Sequence, residues 1–155
     1  MTINPARFGI DIRLLRNLEN QEQRGRGADL RTIIRPESSK VDLEAVAGIG
    51  NLQQALLLRF LTPTGEMEML GHPEYGSRLH ELIGEPNTQT NRDRAKLLAL
   101  QALLAEPRVK EVRSLTVTTR RDRPNHVDIE AALAILEEDA VLNLVFPFEF
   151  NGGGP

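Results

Sequence analysis

At 155 residues the chain is long enough for one domain with a core of its own. Its apolar content is aliphatic, with no Trp, one Tyr (Tyr75) and five Phe, and its net charge is -3, so neither an aromatic stacking platform nor the basic excess of a nucleic-acid-binding domain is present. Cysteine is absent, which excludes disulfides, thiolate metal sites and Cys nucleophiles and fits folding in a reducing cytoplasm.

In chain order, Met1 to Arg16 lacks the basic-then-apolar order of a secretion signal, and no apolar run in the sequence is long enough to span a bilayer. Phe8, Ile10, Ile12 and Leu14 alternate and suggest one strand, and the polar stretch Asn17 to Gly27, with its Arg-Gly-Arg-Gly, reads as a loose linker. Residues 1–40 are therefore expected to be an N-terminal extension, residues 41–150 the domain, and residues 151–155 a disordered tail. Gly48-Ile49-Gly50 is a turn signal, short of a dinucleotide fingerprint. Asn51 is a candidate N-cap for a helix to Leu61, stopped by Pro63 and Gly65. A short strand is expected over Glu66 to Leu70, and a helix over Ser77 to Ile83 with Ser77 as its cap. Thr90 to Asp93 has the spacing of a capping box ahead of a third helix to Ala105, and Pro107 ends it.

From Val109 the apolar period changes to two, giving strands over Val109–Arg121, Val127–Leu136 and Val141–Phe150. The connections between them are short and polar, which suits antiparallel hairpins and leaves no room for crossover helices. The expected fold class is α+β, with helices packed on one face of a small antiparallel sheet. In the last strand Leu142, Leu144, Phe146, Phe148 and Phe150 form one apolar face, and Pro147 places the strand at or near the sheet boundary.

Signs of catalysis are few. His72, His80 and His126 match no metal-ligand spacing and read as turn or surface residues, and there is no nucleophile elbow or Walker lysine. No cofactor and no metal are expected. Acidic residues such as Glu66, Glu68, Glu74, Glu81 and Glu85 could supply a glycosidase pair, but a chain with this many carboxylates offers such pairs by chance. Arg120, Arg121 and Arg123 gather at an expected hairpin tip, where they keep a turn soluble or dock an acidic partner.

Four segments carry a resemblance: Asn51-Leu-Gln-Gln-Ala55, Leu61-Thr-Pro-Thr-Gly65, His72-Pro-Glu-Tyr-Gly76-Ser-Arg-Leu79 and Glu106-Pro-Arg108. In this order they resemble the phage baseplate wedge proteins similar to gene product twenty-five, over about Asp42 to Phe150. The resemblance implies a structural part of a contractile tail or injection system rather than an enzyme. It implies the baseplate wedge (sheath initiator) fold, contact with the wedge core through Glu106, Pro107 and Arg108, and strand addition by first-ring sheath subunits at Val141, Asn143, Val145, Phe146 and Phe148. Partners would be other baseplate wedge proteins, sheath subunits and tube or hub proteins, in multiple copies, with no nucleic acid and no small-molecule substrate. The protein would reside in the bacterial cytoplasm during assembly and then in the particle's baseplate. Some members of that family are described as lysozyme-like, which makes peptidoglycan cleavage the enzymatic alternative. From the residues alone, Glu106-Pro107-Arg108 is a rigid helix-to-strand corner offering an arginine fork, or a brace between its own charges. The last strand's edge could equally be covered by the N-terminal extension.

Overall fold

The computed structural model describes residues 8–14, 30–136 and 141–150. The expected linker at Asn17 to Gly27 and the C-terminal tail lie outside these residues. The chain divides into two compact units, Met1–Ala55 and Leu56–Pro155.

Among its described residues the first unit contains four short strands, β1 (Ile10–Ile12), β2 (Thr32–Ile34), β3 (Val41–Leu43) and β4 (Ala45–Ala47). All pairing is antiparallel, β1 with β4 and β2 with β3. Glu44 joins the two ladders, since its N–H donates to Arg31 O (2.8 Å) and its carbonyl accepts from Arg13 N (2.8 Å). In an antiparallel ladder one residue's N–H and C=O serve the same edge, so β1 and β2 lie end to end along one side of the stretch 41–47. The Glu44 carboxylate repeats this link, pairing with Arg13 Nε (3.1 Å) and Arg31 Nε (2.8 Å). The strand expected around Phe8 to Leu14 is thus present as β1. The β2–β3 hairpin was illegible because Pro36 and charged residues interrupt any alternation between Thr32 and Leu43.

Helix α1 covers Ile49–Leu61 and begins two residues before Asn51. Asn51 is therefore not its N-cap. Its side chain instead donates to Phe8 O (2.7 Å), and one turn later Gln54, 1% exposed, accepts from Leu14 N and donates to Ile12 O, both at 2.9 Å. Two carboxamides on one helix face thus take the place of a neighbouring strand for β1.

The second unit holds the end of α1, helix α2 (Gln89–Leu104) and the antiparallel sheet of β5 (Val109–Arg120), β6 (Arg123–Ile135) and β7 (Val141–Glu149), in the order β5-β6-β7. The α+β class and the three hairpin-linked strands agree with the sequence. Three local expectations fail. Glu66 to Leu70 is a set of turns with a 3-10 helix at Glu68–Leu70, because left-handed Gly65 and Gly71 curl the segment back on itself. The expected helix over Ser77 to Ile83 shrinks to a 3-10 helix, Leu79–Leu82. Ser77 does not act as its N-cap. Its Oγ donates to Phe60 O (3.0 Å), while its backbone bridges Thr62 O and Thr64 N, so it closes the end of α1. The cap of α2 is Thr88, whose Oγ1 accepts from Asn91 N at 3.2 Å, and Thr90 lies inside the helix.

The core of this unit is aliphatic with four phenylalanines. Leu142, Leu144, Phe146, Phe148 and Phe150 are all buried, as the alternation demanded, beside Leu56, Leu57, Phe60, Leu79, Leu82, Leu98 and Leu103. The Phe60 and Phe146 rings sit 5.1 Å apart, and Phe148 meets Phe150 edge to face at 5.2 Å.

A candidate recognition corner between helix and sheet

Three of the four sequence segments meet in the second unit. The parallel bridge between Pro63 and Ser77 closes the loop that joins them, with Ser77 N to Thr62 O at 2.9 Å and Thr64 N to Ser77 O at 3.0 Å. Gly76 permits this approach. Its φ is +111°, and a Cβ there would stand 2.4 Å from Thr62 O. Pinning Gly76 in turn places Tyr75 over the last turns of α1, where its ring lies 4.6 Å from the Arg59 guanidinium carbon.

Arg59 is 8% exposed and points the other way to Glu106, with Nη2 3.4 Å from Oε2. Glu106 is itself 5% exposed, the buried carboxylate among the described residues. Its other oxygen accepts from Arg108 Nε at 2.6 Å and from Arg108 N at 3.4 Å. Pro107 ends α2 and fixes this arrangement, since the chain turns directly into β5 with Val109 N bonded to Glu106 O (3.0 Å). The Arg108 side chain remains about a third exposed. Burial alone would raise the Glu106 pKa. The hydrogen bond and charge of Arg108, its backbone N–H and the charge of Arg59 together outweigh burial and hold the carboxyl below its ordinary range. Burial, with Glu106 nearby, raises the Tyr75 pKa against the opposing charges of Arg59 and Arg108.

Glu106 therefore faces inward as a brace, and Arg108 is the member of the segment that reaches the surface. Arg59 is the part that sequence reasoning missed. It stands in the apolar run Leu56-Leu-Leu-Arg-Phe60, and a lone cation in such a run is the signal that a buried partner exists elsewhere.

The residues expected to receive a sheath strand are all on β7. Val141 and Asn143 are exposed, Val145 is half-buried opposite Glu130, and Phe146 and Phe148 are core residues. Pro147 pairs with Asp128 on this boundary strand of the β5-β6-β7 sheet. The β5–β6 turn sets Arg120 opposite Arg123 with Arg121 between them, and Arg120 is also bound to Asp128 (2.9 Å). His72 and His80 are exposed, whereas His126 lies on β6 with Nε2 3.2 Å from Glu149 Oε2. Among the described residues no three His, Asp or Glu side chains are grouped to hold a metal ion, and no helix is long and apolar enough to cross a membrane.

Neither a family model nor a curated protein matches the chain. Among solved structures, the chain is similar to a protein from Geobacter sulfurreducens solved under the description of a tail lysozyme. The identity is 22% and the TM-score 0.56, over 65% of this chain and 89% of that one. At that identity the shared property is the fold, an α+β arrangement of two helices with small antiparallel sheets.

Proposed function

We propose that the chain is a non-enzymatic component of the baseplate of a contractile phage tail or phage-derived contractile injection system. In this reading it binds the wedge core through the corner at Arg108 and starts sheath polymerisation by strand addition at β7. It works in multiple copies beside other wedge proteins, first-ring sheath subunits and tube or hub proteins, and it assembles in the bacterial cytoplasm before residing in the particle. The observation that carries the reading is the convergence of Tyr75, Arg59 and the Glu106-Pro107-Arg108 segment on one buried charge cluster, within a fold shared with a protein described as belonging to a tail. A guanidinium held by a buried carboxylate is pre-oriented to meet a carboxylate or the carbonyls at the end of a partner helix.

Peptidoglycan cleavage is the competing reading, favoured by the word lysozyme in the neighbour's description. A glycosidase needs a carboxyl whose pKa is raised so that it can donate a proton, and the buried carboxyl here is shifted the opposite way by two arginines. Two experiments separate the readings. Arg108→Ala, checked for folding by circular dichroism and thermal melting, is expected to be excluded from assembled baseplates, with Arg108→Lys only partly restoring entry. Normal incorporation of Arg108→Ala would reduce the corner to a local brace. Purified protein is expected to release no soluble fragments from peptidoglycan; turnover abolished by one carboxylate-to-amide change in a folded variant would establish the enzyme.

A further inference from the structure

The Pro63–Ser77 bridge sets the two ends of residues 64–76 against each other, so this length of chain spans no gap between elements. Its ends are closed and it bonds to itself, which makes it an Ω-loop. Glu66 N, Glu68 N, Gly71 N and His72 N donate to Pro63 O, Gly65 O, Glu68 O and Met67 O at 2.9–3.1 Å. At the middle of this loop Met69 is 96% exposed and Leu70 71%. Two large apolar side chains are thus held in water by a turn structure that is complete without them. A partner that took them would meet a loop whose backbone is already ordered.

The charge around these side chains has one sign. Residues 64–76 contain Glu66, Glu68 and Glu74 and no Lys or Arg, with His72 the one side chain there able to carry a positive charge. All three glutamates are exposed, and none is ion-paired with another of the described residues. Arg78, the first arginine after the loop, is taken by Glu81 at 2.6 Å. The net charge of -3 is therefore located here, because without these three carboxylates the 22 Asp and Glu of the chain fall to 19, equal to its 19 Lys and Arg.

This combination selects among occupants. An anionic bilayer or a nucleic acid would repel the glutamates, and a second copy in a two-fold pair through this loop would set like charges against each other. An apolar pocket rimmed by Lys or Arg meets both demands. It accepts Met69, whose unbranched thioether adapts to irregular cavities, and its rim pairs with the carboxylates. A knob of this kind acts through a few desolvated side chains rather than through broad contact area.

We infer that the 64–76 loop is a plug that seats Met69 and Leu70 in a basic-rimmed apolar pocket of another protein. The inference rests neither on the Arg108 corner nor on strand addition at β7. The test places a photoreactive benzoylphenylalanine at Met69 of the full chain in the cells that produce it, with exposed Lys96 as the control position. Crosslinked peptides are then mapped by mass spectrometry. Crosslinks are expected in another protein, at apolar residues with Lys or Arg beside them. Glu66→Lys with Glu68→Lys should reduce them at least tenfold at an unchanged melting temperature, and Glu74→Lys alone serves if the double variant melts early. Crosslink sites without basic neighbours, a yield that charge reversal leaves unchanged, crosslinks to lipid, to nucleic acid, to this chain or to a second copy, or a yield no higher than from Lys96 would each overturn the inference.

Discussion

Glu106 and Arg59 form a buried pair, and the energetics of such pairs are asymmetric. Removing one member strands the other's charge in the interior, which costs about 3 kcal/mol or more, whereas replacing both with apolar residues of similar volume is often near neutral. Glu106→Leu is therefore expected to lower stability by roughly 3 kcal/mol, and Arg59→Met with Glu106→Leu to recover most of that loss, as read from urea midpoints at unchanged slope. The same carboxylate sets a pH dependence. Its folded-state pKa lies below the ordinary 4.5, so its contribution is complete above that value and is lost as pH falls through the folded pKa. Titrating stability between about pH 6 and pH 2 should show a steeper decline for the natural chain than for Glu106→Gln. At this scale the sequence disclosed the corner at Glu106-Pro107-Arg108, because proline and opposite charges are local signals. It hid the roles of Arg59 and Tyr75, since each depends on a residue distant in the chain, Glu106 for Arg59 and Arg59 for Tyr75. Asn51 was misread for a related reason. Its amide is typical of an N-cap, but tertiary pairing with Phe8 O claims it.

Secondary-structure elements were legible where period and punctuation agreed. The switch to period two marked β5, β6 and β7, and Pro63 and Pro107 marked the helix ends nearest them. Legibility failed between Gly65 and Ile83, where the chain is held by the Pro63–Ser77 bridge and by glycines with positive φ rather than by its own propensities. The start of α2 shows how an expected cap is displaced by a neighbour two residues earlier. Thr88 and Thr90 both precede the apolar run, yet only the Thr88 hydroxyl meets an orphan N–H. Thr88→Ala is expected to cost about 1 kcal/mol and Thr90→Ala only a few tenths, measured as shifts in the chemical-denaturation midpoint. Equal losses would mean that the helix begins elsewhere.

For the molecule as a whole, the pattern of burial rather than residue identity carries the fold, which is how 22% identity coexists with a common architecture. The apolar face of β7 belongs to the core of the second unit, so any test of strand addition there has to spare it. Phe146→Ala should cost roughly 3–5 kcal/mol, a large part of the stability of a unit this size, and Asn143→Ala under about 0.5 kcal/mol, compared by thermal melting. A polar change at Asn143 can then probe assembly without unfolding the sheet. The ribbon of the first unit has a different lesson. Arg13 and Arg31 oppose the same glutamate and their strands run in the same direction, so the chain leaves a strand and later resumes it as though nothing had intervened. Because Glu44 alone sets the register on both sides, β1 and β2 behave as two lengths of a single strand with one shared fastening, so loosening that residue is expected to release both ladders together rather than one at a time.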